Sequence, residues 1–106
     1  MIIKNFFRRG LSVIAILMLM PVLAEAQQGK RTVTGVVIDS QGEPLYGAVI
    51  VEDGTSNAVT ATEDGSYKIT VKDSQETVLF VSFIGMEAQR VPIGNKIVID
   101  FELKTD

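Results

Sequence analysis

Hydroxyl side chains that could act as nucleophiles are plentiful in this sequence, and several lie between Thr55 and Ser66. A serine or threonine nucleophile needs a neighbouring base that removes its proton, and histidine is the usual one. The 106 residues include no histidine and no cysteine. A lysine could replace histidine, but no Ser-x-x-Lys pattern occurs after residue 26. The residue types therefore argue against an enzyme that works through a hydroxyl nucleophile.

Carboxylates are the remaining groups that could do acid–base chemistry or hold a metal ion. A glycosidase-type pair must flank a substrate cleft, for which a chain this short has little room. Acidic turns could offer oxygens to calcium at Asp39 and Glu43, at Asp53, and at Glu63 and Asp64. None follows the alternating Asp-x-Asp-x-Asp-Gly pattern of a calcium loop. We predict no catalytic residue, no metal and no cofactor, with these acids in solvated turns.

The N-terminal segment has the pattern of an export signal. Basic residues precede the apolar run 11–23, and Ala24 and Ala26 provide the small residues of an A-x-A cleavage site. The run is too short for a membrane-spanning helix, which needs roughly 20 apolar residues to cross about 30 Å of hydrocarbon. We predict a cleavable signal peptide over residues 1–26 and a short linker over 27–30, with an uncleaved anchor as the alternative.

The chain after the signal is small and acidic. Removal of residues 1–26 would leave 80 of the 106 residues, with seven basic and twelve acidic side chains. This length is enough for one domain. Because an acidic protein is repelled by phosphate backbones, we predict no nucleic-acid partner.

Two segments alternate strictly between apolar and polar residues, which predicts β-strands with one buried face. In segment 66–72 the predicted core-facing residues are Tyr67, Ile69 and Val71. In segment 96–103 they are Ile97, Ile99, Phe101 and Leu103.

Further runs at 32–38, 48–51 and 78–84 are apolar on both faces, and weaker strands are predicted at 57–62 (an edge strand) and 86–91. The total is seven strands in an all-β sandwich. Four residues on the two-faced runs are either covered core residues or a protein-docking surface: Val36, Ile38, Val49 and Val51.

Three sequence blocks resemble the carboxypeptidase-D regulatory-like domain. They read VTGVVIDSQGEPLYGAVIV at 33–51, TEDGSYKI at 62–69 and LFVSFIGME at 79–87. The last block is typical of the version at the N-terminus of SusC/RagA-type TonB-linked outer-membrane receptors. Two positions depart from the pattern, Met86 where an aromatic is usual and Asn57-Ala58 where Asn-Gly is frequent.

The resemblance implies a small seven-stranded, transthyretin-like (Ig-like) β-sandwich over residues 31–104. It also implies that Tyr67 is a core anchor. The implied structural markers are Gly35, Gly42, Pro44, Gly47, Gly65 and Gly85. The receptors continue into a plug and a barrel, and residues 27–106 are too few for a barrel. We therefore expect either a truncated receptor or a free-standing relative.

By resemblance, the domain would be a non-catalytic periplasmic module associated with the outer membrane. Its partners would be a receptor plug and barrel or components of the TonB system, contacted through sheet edges or loops, with β-augmentation as the mode. The alternative is a secreted adhesive or carbohydrate-binding module, in which Tyr46 would be the ligand contact. An enzyme would require turnover that depends on a carboxylate.

Overall fold

The computed structural model describes residues 29–106, and every regular element in that part of the chain is a β-strand. The strands are β1 Lys30–Asp39, β2 Val49–Glu52, β3 Ala58–Thr60, β4 Ser66–Lys72, β5 Val78–Ser82, β6 Gln89–Pro92 and β7 Phe101–Leu103. The predicted all-β fold with seven strands is confirmed. None of the described residues belongs to a helix that could cross a membrane.

The predicted signal peptide, residues 1–26, lies outside the described residues, as do the first two residues of the predicted linker. β1 begins at Lys30, the last residue of that linker, which already pairs with Lys72 of β4. At the other end, Thr105 forms a bridge with Met86, one residue beyond the predicted domain boundary.

The strands form two sheets that enclose one core. The three-stranded sheet has the order β4-β1-β7, and the four-stranded sheet has the order β3-β2-β5-β6. All neighbouring strands are antiparallel except β1 and β7, which run parallel. Two parallel strands must be joined by a long connection. Here the connection between β1 and β7 contains the other five strands, β2 to β6.

Alternation along the strands sends one face of each sheet into the core. In β4 the predicted core residues Tyr67, Ile69 and Val71 are buried, and the lysines and threonine between them are exposed. The buried core residues are Val33, Val37, Leu45, Ala48, Ile50, Ala61, Tyr67, Ile69, Val71, Leu79, Val81, Ile93, Ile99, Phe101 and Leu103. Among residues 29–106 the buried side chains are all apolar or aromatic, and the hydroxyl of Tyr67 is the polar group that they include.

The predicted strand over 96–103 is correct only in part. Ile99, Phe101 and Leu103 are buried, but Ile97 is 63% exposed, so its assignment to the core was wrong. The regular strand begins at Phe101, and upstream of it only Val98 forms an isolated bridge to β1. The alternation therefore stops before it reaches Ile97.

The break before β7 has a specific geometry. In a regular parallel ladder the Val36 amide would donate to the Ile99 carbonyl, but it donates to Oδ1 of Asp100 instead, 3.0 Å away. The Ile99 carbonyl turns into the core, where the Tyr67 hydroxyl donates to it over 2.5 Å. A Cβ atom on Gly35 would lie 1.9 Å from this oxygen, so a side chain cannot fit there. Tyr67 is thus the core anchor that the resemblance implied.

Candidate docking surface

The β4 edge of the three-stranded sheet lies against β3 and the segments around it. Three hydrogen bonds reach backbone groups on the side of β4 that faces away from β1. They run from Thr62 N to Ser66 O (2.9 Å), from Asn57 Nδ2 to Thr70 O (2.7 Å), and from Lys72 N to Glu52 Oε2 (3.4 Å). Most of this edge is therefore already bonded within the domain.

The opposite edge, between β6 and β7, is closed in a similar way. The Gln89 side chain donates to the Glu102 carbonyl over 2.6 Å, and the Glu87 amide donates to the Lys104 carbonyl over 2.8 Å. β6 also contains Pro92, which has no N–H to donate. Such features protect edge strands from pairing with other chains, so an incoming strand would have to displace existing bonds.

The outer face of the three-stranded sheet is mainly polar. Its exposed side chains include Thr32 and Thr70, whose hydroxyls are 3.0 Å apart, and Lys68. The predicted docking residues Val36 and Ile38 lie on this face, where both are half-buried.

The outer face of the four-stranded sheet is mainly apolar. Strand register places Ala58, Val51 and Phe80 side by side across β3, β2 and β5. Val49 and Val78 flank this row on the same face. We call these five residues, Val49, Val51, Ala58, Val78 and Phe80, the Val51–Phe80 face. An apolar sheet face of this kind fits a protein partner better than a small ligand.

Arg90 of β6 lies over one end of the Val51–Phe80 face. Its guanidinium carbon is 4.4 Å from the centre of the Phe80 ring, and its Nε is 3.5 Å from Oδ2 of Asp53. Of the strand residues that register places on this face, Arg90 alone is charged. The Arg90 guanidinium therefore lies at the border of the Val51–Phe80 face, where its charge is paired with that of Asp53.

The four predicted docking residues do not form one surface. Val36 and Ile38 lie on the outer face of one sheet, and Val49 and Val51 lie on the outer face of the other, so the two pairs point in opposite directions. Of the four, Val51 has apolar register partners on both sides, Ala58 and Phe80, whereas the partners of Val49 are Thr60 and Ser82. Sequence reasoning missed Phe80 and Arg90, because their contact depends on a strand register that periodicity alone does not supply.

Tyr46, the predicted ligand contact, is 64% exposed in the loop between β1 and β2. Its neighbours fix the loop, since the Leu45 amide donates to Val37 O and the Gly47 amide donates to Ala61 O, each over 3.0 Å. The tilted aromatic pair of the described residues, Tyr67 with Phe101, lies in the core with its ring centres 5.9 Å apart. The exposed ring of Tyr46 is not part of this aromatic pair.

Two shallow polar grooves meet at the end of the sandwich that carries the β2–β3 turn. Their volumes are about 610 and about 400 Å³, and both include Glu52 and Lys72. The acids that line the second groove are Glu52, Asp53 and Glu76. Glu52 accepts a hydrogen bond from Asn57, and Asp53 pairs with Arg90. No three acids of residues 29–106 lie close enough to hold a metal ion.

Comparisons with known proteins match almost the whole described chain. The model of the CarboxypepD_reg-like domain family matches residues 33–106. A TonB-dependent receptor of Formosa agariphila is 33% identical over 103 residues, which cover 97% of this chain and 10% of that protein. The TonB-dependent receptor SusC of Bacteroides thetaiotaomicron is 35% identical over 90 residues, which cover 85% of this chain and 9% of SusC. The chain thus spans about a tenth of the length of these relatives.

Among solved structures, a chain in a type II cohesin–X-dockerin complex of Acetivibrio cellulolyticus superposes with a TM-score of 0.52 at 15% identity. The superposition covers 71% of this chain and 52% of the other, and it supports the fold alone. The sequence matches carry the assignment: the protein belongs to the CarboxypepD_reg-like domain family, in the version that occurs in SusC-type TonB-dependent receptors.

Proposed function

We propose that this protein is a non-catalytic periplasmic module that supports TonB-dependent nutrient uptake at the outer membrane by contacting other proteins. The relatives are TonB-dependent receptors, and the matched family is a regulatory-like domain. The described residues offer no histidine or cysteine, and the acids that line a groove, Glu52, Asp53 and Glu76, lie in a shallow one. The nutrient class that we propose is glycans.

The single observation that carries the contact role is the Val51–Phe80 face. It is apolar and nearly free of charge on a molecule whose other outer face is mainly polar. Interface cores are depleted in charged residues and enriched in aromatic ones. Because the sheet edges are largely bonded, we propose contact through this face rather than by strand addition. The proposed partners are the plug and barrel of a receptor or components of the TonB system.

Site-specific photo-cross-linking tests this role. The full chain is produced in Bacteroides thetaiotaomicron, which has a SusC receptor, with a photoreactive residue at position 51. A matched version carries it at Lys68, an exposed position on the opposite face. We expect adducts with a TonB-dependent receptor or a TonB-system protein from position 51 only. Equal adducts from both positions, or none from position 51 in an exported and folded chain, would contradict the proposal.

Export is part of the same proposal and has a separate test. A cleaved signal peptide would give a mature chain that begins with Gln27. N-terminal sequencing of the protein from the periplasmic fraction should show Gln-Gln-Gly. Recovery of the protein with an intact residue 1–26 segment in the inner membrane would support the uncleaved anchor.

The carbohydrate-binding alternative rests on Tyr46. Its exposed ring is available for stacking on a sugar. However, Tyr46 lines neither of the two grooves, and ligand sites usually enclose most of the ligand. Protein contact is therefore the function that we favour.

A further inference from the structure

Two Asp-Gly pairs lie in turns between strands: Asp53-Gly54 directly follows β2, and Asp64-Gly65 directly precedes β4. Both glycines have a φ of 80°, in the left-handed region that glycine tolerates best. An aspartate before glycine is chemically vulnerable, because the glycine nitrogen can attack the side-chain carboxyl without steric hindrance. The two pairs differ in how firmly the structure holds the groups that would react.

The Asp64 pair is held on both sides. Its Oδ1 accepts hydrogen bonds from the hydroxyls of Thr62 and Ser66, at 2.5 and 2.6 Å, and from the Ser66 amide at 3.1 Å. The Gly65 amide donates to the Thr62 carbonyl over 2.9 Å. Gly65 is also buried, and a Cβ there would lie 2.7 Å from the Val37 carbonyl oxygen. Neither reacting group is free to move toward the other.

The charge state of Asp64 protects it further. The hydroxyls of Ser66 and Thr62, in that order, lower the pKa of the Asp64 carboxyl to about 2. Ring closure proceeds through the neutral acid, which can lose its hydroxyl as water, whereas an ionised carboxylate is a poor electrophile and has no such leaving group. A pKa lowered from 3.8 to about 2 reduces the neutral fraction near neutral pH by more than tenfold.

The Asp53 pair is open by comparison. Its carboxylate is 44% exposed, and its contact is one long ion pair with Arg90, a side chain that is itself 63% exposed. Gly54 is exposed, and no atom lies within 4 Å of the position that a Cβ would take. Among residues 29–106 no hydrogen bond is formed by the Gly54 amide.

We propose that Asp53 is a site of spontaneous isomerisation to isoaspartate, whereas Asp64 is protected from it. The Gly54 nitrogen forms a bond to Cγ of Asp53. The carboxyl oxygen leaves as water with the amide proton, which gives a five-membered succinimide. Solvent water then opens the ring at either carbonyl. Attack at the former backbone carbonyl leaves the chain running through the side chain of residue 53, with one additional methylene and no net change in mass.

The added methylene falls in the turn that positions the β3–β4 contact. This turn is held by hydrogen bonds from Glu52 N to Asn57 O (2.9 Å) and from Thr55 N to Glu52 O (3.1 Å). Asn57 in turn bonds to Thr70 of β4. Isomerisation would also move the free carboxylate from the side chain of residue 53 to its former backbone carbon, and so disturb the ion pair with Arg90 beside the Val51–Phe80 face. The modification would therefore loosen one protected sheet edge and change the border of that face.

The test is an ageing experiment on the full purified chain, kept for weeks at 37 °C in mildly acidic buffer. Isoaspartate is located by electron-based fragmentation of proteolytic peptides and quantified with an isoaspartyl methyltransferase. We expect it at residue 53 at more than tenfold the level at residue 64. Equal levels at the two sites would overturn the proposal. So would its absence at residue 53 while a synthetic peptide of residues 50–57 isomerises under the same conditions.

Two variants sharpen the result. Asp53→Glu cannot close a five-membered ring, so the signal at residue 53 should disappear while that at residue 64 is unchanged. Ser66→Ala removes the hydroxyl that lowers the pKa of Asp64 most, and isoaspartate should then rise at residue 64. Amide NMR spectra of both variants establish that they are folded before ageing. A folded Ser66→Ala chain with no rise at residue 64 would contradict the protective role of these hydrogen bonds.

Discussion

The hydroxyl of Tyr67 donates a hydrogen bond to the backbone carbonyl of Ile99, 2.5 Å away inside the core. Tyr67 lies on β4, and Ile99 lies two residues before β7, on the other side of the central strand β1. The two residues are 32 positions apart in the sequence. The bond passes over Gly35 of the central strand, where a Cβ would be 2.9 Å from Cε1 of Tyr67 and 1.9 Å from the Ile99 oxygen. One polar contact thus joins both sides of the sheet across a strand that must carry glycine.

Gly35→Ala should be among the most destabilising single-methyl additions in this domain. The methyl group would overlap two backbone atoms of Ile99 as well as the Tyr67 ring, and backbone cannot give way as a flexible side chain can. We expect a loss of about 3 kcal/mol in the free energy of unfolding. Urea denaturation measures it. Gly29→Ala, whose Cβ would have 3.9 Å of clearance, is the control and should be near neutral; equal losses would contradict this account.

Tyr67→Phe should destabilise the domain and also change how stability depends on alkaline pH. The variant leaves the Ile99 carbonyl without its buried donor, which costs about 1–3 kcal/mol. Burial, and then the charge of Asp100, raise the pKa of Tyr67 well above its ordinary value of 10.0. The unfolded chain therefore ionises this group first, so its contribution is complete below about pH 10 and declines above it.

Urea midpoints measured from about pH 8 to about pH 11 test the alkaline effect. The native protein should lose stability more steeply over the upper part of this range than Tyr67→Phe does. Parallel pH profiles for the two proteins would show that Tyr67 is not the group responsible.

Periodicity predicts the elements of this fold better than their partners. β4 was predicted over the correct residues because Tyr67, Ile69 and Val71 alternate with polar side chains. The exposure of Ile97 was not predictable, since the ladder beside β1 is interrupted where Asp100 replaces a backbone carbonyl, and upstream of that point it continues only as the Val98 bridge. That replacement depends on contacts between residues 64 positions apart.

The candidate site was predictable to a smaller extent. The sequence predicts the same docking role for Val49, Val51, Val36 and Ile38, because all four lie on runs that are apolar on both faces. The structure places Val36 and Ile38 in one sheet and Val49 and Val51 in the other. No local sequence pattern indicates to which sheet a strand belongs. Phe80 lies beside Val51 because of the β2–β5 register, which the sequence pattern does not predict. The surface is therefore a property of the pairing, which is set by the whole core.

Asp64 should titrate with a midpoint near pH 2 in the folded protein. Its ionised form accepts the hydroxyls of Ser66 and Thr62, so its contribution to stability is present above 3.8 and is lost as the pH falls toward 2. Carboxyl NMR shifts measure the midpoint. Ser66→Ala should raise it toward 3.8, whereas Ser56→Ala, in the neighbouring turn, should not change it. An unchanged midpoint in Ser66→Ala would rule out the hydroxyl as the cause.

Arg31→Lys should destabilise the domain, because lysine cannot reproduce the contacts of the guanidinium. Arg31 Nε and Nη2 bond to Asp73 over 2.9 and 2.6 Å, and Nη1 bonds to the carbonyls of Gly94 and Lys96. The side chain is only 14% exposed, so these bonds are little weakened by solvent. We expect a loss of about 1–2 kcal/mol. Arg90→Lys, at an exposed single ion pair, is the control and should lose clearly less in urea denaturation.

Tyr46→Ala separates the protein-contact role from the carbohydrate-binding alternative. The exposed ring lies outside the core, so the variant should keep its stability to within about 0.5 kcal/mol. Because Tyr46 lines neither groove and stands apart from the core aromatic pair, we expect no glycan-array binding that depends on it. Tyr46→Phe, which retains the ring, is the matched variant. Sugar binding that is kept by Tyr46→Phe and lost by Tyr46→Ala would favour the carbohydrate-binding module over the function proposed here.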